Sequence, residues 1–257
     1  MLRQSSGVTV LHLDESLSVQ SLPLPPEHEI VQLDDIPGTH GMCDPFAARA
    51  IERRLRQRMY RGVTLVGSGT YHYVTYFLLR ECQEPFSLVL FDHHTDCAAE
   101  PPLLSCGNWV RRALFRVPLL RRVVIVGARD AGELGDLGRR DRDVTLIDEN
   151  QVAGFSTPRR LTARILEATG PYPVYISIDK DVLHPADAAT DWDGGSMRLG
   201  TMLYALVALR RHRRILGVDL CGEWPVSPIG AMSARSLREI QKNEAANRAI
   251  LHALRSG

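Results

Sequence analysis

Three short segments of the chain gather carboxylates and imidazoles at spacings that suit metal chemistry. Asp92-His93-His94-Thr95-Asp96 places possible ligands at every second position. Ser177-Ile178-Asp179-Lys180-Asp181 does the same with two carboxylates, and Gly67-Ser68-Gly69-Thr70-Tyr71-His72 ends a glycine-rich turn on an imidazole. In an extended backbone, positions i, i+2 and i+4 share a face, so Asp92, His94 and Asp96 are expected to converge, as are Asp179 and Asp181. Carboxylates packed together repel one another unless cations neutralise them. A pair of divalent metal ions is the simplest neutraliser. Oxygen-rich ligands with two imidazoles favour Mn(II), with Fe, Co, Ni and Zn compatible with the same ligand types. Two ions bridged by shared carboxylates, roughly 3.5–4 Å apart, would hold between them a hydroxide that is nucleophilic at neutral pH. Each segment alone has a plainer reading: a loop cap, a single-cation site, a packed histidine. Together, each directly after an apolar run, they point to a binuclear site.

Such ligands need a scaffold that brings distant segments together. Short β-rich runs recur at residues 8–13, 30–33, 63–66, 88–91, 123–126, 144–147, 174–178 and 215–220. Several are continuously apolar, as strands covered on both faces are. Helical patterns fall at 45–60, 73–82, 108–115, 158–168, 202–211 and 233–255, the first with Asp44 as N-cap and Pro45 at its first position. Alternation of strands and helices predicts an α/β protein with a mostly parallel, about eight-stranded sheet, in a single domain over residues 1–257. Ligands bind beyond the carboxyl ends of the strands of such sheets, which is where all three segments lie.

Composition bounds the partners. The 257 residues are 44% hydrophobic and 24% charged, with a formal charge of +1, so no global field recruits nucleic acid or an anionic membrane. Lys180 and Lys242 are the only lysines among 31 basic residues. The five cysteines are odd in number and form no C-x-x-C pair, which fits a reducing cytoplasm better than a disulfide framework. Neither a signal peptide nor a membrane helix is expected.

The three segments, in this order, resemble the arginase, agmatinase and formiminoglutamase family, the ureohydrolases, whose signatures are G-G-D-H-S, D-A-H-x-D and S-x-D-x-D. The resemblance runs over roughly residues 60–230 and fills every metal-ligand position. It implies a three-layer α/β/α fold and two metal ions. One would be held by His72, Asp92, Asp96 and Asp179, the other by Asp92, His94, Asp179 and Asp181, with Asp92 and Asp179 bridging. Asp96 would also orient the bridging hydroxide. The implied reaction is hydrolysis of a C–N bond in a guanidino, amidino or formimino group, in a small molecule or in arginine within a peptide. Family members are often oligomers, so a homo-oligomer is expected. The alternatives are a deacetylase-like amidohydrolase with a single zinc and a non-catalytic metal-binding member of the fold.

The departures from the family concern the substrate. Tyr71 replaces the usual Asp before the first His, and Val110 replaces a histidine beside the active site, although Asn108 in the same stretch matches. A family glutamate that pairs with the guanidinium aligns with Gly222; Glu223, one residue later, reaches the site only if the backbone bulges. The loop 184–195 is shorter than the family's and carries Asp187, Asp191, Trp192 and Asp193. The candidate catalytic residues are therefore Asp96 and Glu223, and the candidate substrate contacts are Asn108, Trp109, His184, Asp193 and Glu223. Plainer roles stand beside these: Glu223 as a rim charge or the partner of an arginine, Trp109 and Trp192 as packing. Alternation points Lys180 away from the metal carboxylates, toward a structural ion pair, and turns His93 away from His94. The pairs Arg111-Arg112, Arg121-Arg122 and Arg139-Arg140 read as solvated faces.

Overall fold

The computed structural model describes residues 7–99, 103–129, 131, 134, 137–138, 143–226, 230 and 233–255. The elements run β1 (Val8–His12), β2 (His28–Gln32), β3 (Met42–Cys43), α1 (Pro45–Gln57), β4 (Val63–Leu65), α2 (Val74–Leu79), β5 (Phe86–Phe91), β6 (Leu104–Ser105) and α3 (Trp109–Arg116). They continue with β7 (Leu120–Val126), β8 (Val144–Ile147), α4 (Glu149–Gly154), α5 (Pro158–Thr169), β9 (Val174–Asp179), α6 (Leu199–His212), β10 (Ile215–Cys221) and α7 (Ala234–Arg255). Eight strands form one sheet in the order β2-β1-β4-β10-β9-β5-β7-β8, and every neighbouring pair is parallel. β3 and β6 make a separate antiparallel ribbon.

Side-chain alternation along the strands splits the core in two. Leu88 and Leu90 of β5 pack on one face with Ile51 of α1, Phe77 of α2 and Ala113 of α3. Val89 and Phe91 pack on the other with Ile165 of α5, Leu206 of α6 and Ile250 of α7. The central strands β5 and β9 are buried along their whole length, which is why their sequences are continuous runs. The edge strand β2 alternates between exposed and half-buried positions. The eight expected strands are all present, and helices cover both faces.

The ends of elements differ from expectation for local reasons. The helix at 45–60 stops at Gln57, where Arg58 turns extended (ψ 145°) and pairs with Glu81 at 2.7 Å. The stretch 73–82 yields only the six residues of α2, because the chain before it is a tight turn over Gly69–Tyr71. α4 was not expected. It has no buried residue, so it leaves no apolar period in the sequence, and it rests on a capping box between Asp148 and Gln151. Arg121 and Arg122 are exposed and Arg111 and Arg112 half-buried, while Arg139-Arg140 lies outside the described residues. Among the described residues no helix is long and apolar enough to cross a membrane.

The central strands set the stability of the frame. Ile176→Ala, at a fully buried position of β9, should cost about 2–5 kcal/mol in denaturant unfolding. Ile30→Ala on β2, where the side chain is 57% exposed, should change stability by no more than about 0.5 kcal/mol.

Candidate metal centre

Parallel pairing places the carboxyl ends of β4, β10, β9 and β5 side by side along one edge of the sheet. His72 follows the turn after β4, Asp92 directly follows β5, and Asp179 is the last residue of β9. The convergence of Asp92, His94 and Asp96 does not come from extended-strand alternation, since β5 ends at Phe91. Asp96 instead takes a left-handed backbone (φ 50°), the one non-glycine residue to do so among those described. Its carbonyl accepts a hydrogen bond from Val110 N at 3.1 Å, which anchors the start of α3 to it. Asp179 Oδ1 accepts from Asp181 N at 3.0 Å and tightens the turn Lys180–Val182, so Asp181 swings back beside Asp179.

The ligand atoms meet at distances set by two imidazoles. His72 Nδ1 lies 3.2 Å from Asp92 Oδ2, 3.2 Å from Asp96 Oδ2 and 3.5 Å from Asp179 Oδ2. His94 Nδ1 lies 2.9 Å from Asp181 Oδ2 and 3.5 Å from Asp92 Oδ1. Three groups of atoms that could hold a cation result: His72 with Asp92 and Asp96, Asp92 with His94 and Asp181, and His72 with Asp179 and Cys221; Asp92 belongs to the first two and His72 joins the third to the first. All four carboxylates are buried, and Asp92 Oδ2 has no hydrogen-bond partner. An orphaned buried carboxylate oxygen among imidazole nitrogens fits a divalent cation, which would satisfy it without a proton.

Electrostatics points the same way. Burial, then the charge of Asp92, pushes Asp96 up to about 7. Burial and neighbouring carboxylates also raise Asp179 and Asp181. Burial pushes Asp92 up as well, but the close approach of the His72 and His94 imidazoles outweighs it and brings the group down to about 2. The hydrogen bonds to Asp181 and Asp92 lift His94 to about 11. Without metal, the cluster keeps protons that a cation would displace.

Groups behind the cluster fix its orientation. Ser177 Oγ donates to Asp219 Oδ1 at 2.8 Å, so it must accept from His72 Nε2–H at 2.9 Å. That bond fixes the ring and aims Nδ1 at the carboxylates. Thr75 Oγ1 donates to the same Asp219 oxygen at 2.9 Å. Trp109 Nε1 donates to Asp96 Oδ2 at 2.5 Å, and its ring lies 4.8 Å from that of His72. Cys221, at the end of β10, approaches Asp179 Oδ2 at 3.1 Å.

The remaining candidates fall elsewhere. Glu223 does not reach the cluster. It is buried and paired with Lys180 Nζ at 2.5 Å, and it also accepts from Gln20 Nε2 at 2.7 Å, Asn243 Nδ2 at 3.1 Å and Asn247 Nδ2 at 2.8 Å. Its partner is a lysine rather than an arginine, and its place is the core rather than the rim. The cause is local: Gly222 is left-handed (φ 81°), and a Cβ there would lie 2.6 Å from Lys180 N and collide with Asp179 Oδ1. The backbone thus turns Glu223 to the side where Lys180 also points. Asn108 is buried and shapes the turn before α3, accepting from Ser105 N at 2.8 Å and donating to Leu103 O at 2.9 Å. Trp109 is fully buried behind Asp96. His184 is exposed and accepts from Ala186 N at 3.1 Å. None of these four lines the cavity of about 340 Å³ above the cluster. Asp193 sits at its rim, 3.5 Å from Arg129.

Arg129 and Trp192 do line that cavity, with the cluster as its floor. Trp192 is 47% exposed, and its ring stands edge-on to His94 at 5.8 Å. Its signal was a tryptophan in a short loop closed by Gly194-Gly195. Arg129 carried none, being one arginine among many.

Two measurements follow. Ser177→Ala should lower metal affinity about 10-fold by freeing the His72 ring, read by competition with a chelator. Asp96 and His94 both carry raised pKa values, so each binds protons more tightly in the folded chain than in the unfolded one. Stability of the metal-free protein therefore falls as pH rises, through about 4–7 for Asp96 and about 6.5–11 for His94. The gain in Tm on adding Mn(II) should accordingly grow between about pH 5 and 8, with protons released on binding.

Comparison with known proteins gives the family and the fold. The sequence pattern described as "Arginase family" matches residues 2–239. An uncharacterized protein of Thermotoga maritima is 34% identical over 229 residues, covering 88% of this chain and 80% of that protein. A solved arginase from Bacillus caldovelox superposes with a TM-score of 0.69 at 17% identity, covering 98% of this chain and 99% of the other. A hypothetical agmatinase from Burkholderia thailandensis does so with a TM-score of 0.66 at 23% identity, covering 98% and 85%. The chain belongs to the arginase family.

Proposed function

We propose that the chain is a binuclear metal-dependent hydrolase that cleaves a C–N bond of a guanidino, amidino or formimino group, in arginine-like molecules including arginine within a peptide. The observation that carries this reading is the pair of ligand groups sharing Asp92 on the floor of one cavity. His72, Asp92, Asp96 and Asp179 would hold one ion, and Asp92, His94, Asp179 and Asp181 the other, with Mn(II) the ion this oxygen-rich set favours. Two such ions supply a hydroxide nucleophile at neutral pH and polarise the trigonal carbon.

The chain's own groups do the rest. Trp109 fixes Asp96 through Oδ2, so that carboxylate is held in one orientation to direct the nucleophile and pass a proton to the departing amine. The Ser177–Asp219 pair keeps His72 aligned. Arg129 lines the cavity and pairs with Asp193 at 3.5 Å, and this exposed pair would meet the polar backbone of an arginine residue.

The test is urea and amine release with Mn(II) across free arginine, agmatine, formiminoglutamate and a blocked arginine peptide. At least one should turn over with two metals bound per chain, and the absence of any turnover in that state sinks the proposal. A single tightly bound ion would favour deacetylase-like chemistry instead. His94→Ala and Asp181→Ala should lower metal content and activity together, and unchanged metal content in both would refute the ligand assignment.

A further inference from the structure

We propose that Trp192 is the residue that recognises the planar cationic group of the substrate, stacking its indole on the guanidinium that the cluster attacks. The inference rests on the reading of the site as a guanidino hydrolase and names how that substrate is held.

A guanidinium entering the cavity needs a partner for its charge. Among the described residues that line the cavity, the carboxylates are Asp92, Asp96, Asp179 and Asp181. All four belong to the cluster and are engaged as ligands once it is loaded. Glu223 is held by Lys180, Gln20, Asn243 and Asn247, and Asp191 and Asp193, on either side of Trp192, do not line the cavity. An aromatic face is the other protein group that attracts a guanidinium, and it does so within about 6 Å of its centroid.

Trp192 supplies that face at the right place. Its indole lies beside the cluster: a Cβ built on Gly69 would sit 2.9 Å from Asp179 Oδ2 and 3.3 Å from Trp192 Cδ1, so glycine there leaves room for both groups at one point. The ring is also 5.8 Å from His94, on the other side of the cluster. About half of it is exposed, an unusual state for a tryptophan that served only packing.

The loop that carries it is fixed by the network that removed Glu223 from the cavity. Asn243 grips Ala189 twice, accepting from its N and donating to its O, both at 2.8 Å, and donates to Glu223 Oε2 at 3.1 Å. Thr190 Oγ1 donates to Trp192 O at 3.0 Å. Glu223 is thus a positioning residue, acting through Asn243 on the loop that presents Trp192.

The experiment uses the metal-loaded full chain with Nα-acetyl-arginine methylamide and its neutral citrulline counterpart as probes. Affinity is read as KM where the arginine probe is hydrolysed and as Kd by calorimetry where it is only bound. Wild type should prefer the guanidino probe over the ureido one. Trp192→Leu should weaken the guanidino probe about 5- to 30-fold, on KM more than on kcat, with little change for the ureido probe, and Trp192→Phe should stay within about 3-fold of wild type. Unchanged affinity in Trp192→Leu overturns the proposal, as does an equal loss for both probes, which would mark a packing role. Binding of the guanidino probe without hydrolysis, with the expected loss in Trp192→Leu, would keep the clamp and remove the hydrolase reading. Hydrolysis unaffected by Trp192→Leu would do the reverse, and failure of wild type to bind either probe overturns the clamp, while the hydrolase reading stands or falls on the substrate panel.

Discussion

The structure is organised around one electrostatic constraint: four buried carboxylates held within reach of two imidazoles. Two unit charges about 4 Å apart repel by about 4 kcal/mol at an effective dielectric near 20. A flexible scaffold would relieve that repulsion by moving apart. Here the carboxylates are mounted on the ends of strands buried on both faces, so the hydrophobic sandwich opposes their separation. The same compression raises Asp96, Asp179 and Asp181, and a divalent cation placed among them would relieve it.

Alternation on β9 ties this cluster to a second charge system. Ser177 and Asp179 face the side of α1–α3, where His72 and Asp219 meet them. Lys180 faces the other way and reaches Asn247 of α7 at 3.0 Å and Glu223 at 2.5 Å. A fully buried ion pair costs desolvation and contributes little net stability. Its value here is geometric. It is saturated by amide donors, and through Asn243 it couples α7, the end of β10 and the loop over the cavity. The residue between Asp179 and Asp181 therefore helps to position the roof above the cluster.

What the sequence makes legible follows from which features are local. Mostly apolar runs identify the strands because burial on both faces leaves few polar positions, such as Ser177 and Asp219. The spacings D-x-H-x-D and S-x-D-x-D mark the cluster because its ligands sit directly after strands. The route by which Asp96 joins it is not legible, since a left-handed aspartate has no sequence signature and extended alternation gives the right partners for the wrong reason. Glu223 was misplaced because its direction depends on the left-handed backbone at Gly222, a property of one torsion rather than of spacing. Trp109 and Asn108 match the site region by position, yet both face inward, because the start of α3 docks on the carbonyl of Asp96.

The fate of Glu223 explains more than one departure from the family. With glycine at position 222, no side chain there can project beside Asp179 without a collision. An acid could have been retained only by moving Asp179, which would disturb a ligand belonging to the cluster. Placing the acid one residue later removes it from the cavity and gives it to Lys180. The cavity loses a charged contact for a cation, and the loop that closes it carries a half-exposed tryptophan. The two changes are physically complementary: an aromatic face attracts a planar cation without adding a fifth carboxylate to a crowded cluster, and the absence of a side chain at Gly69, in the turn before His72, leaves room for the indole.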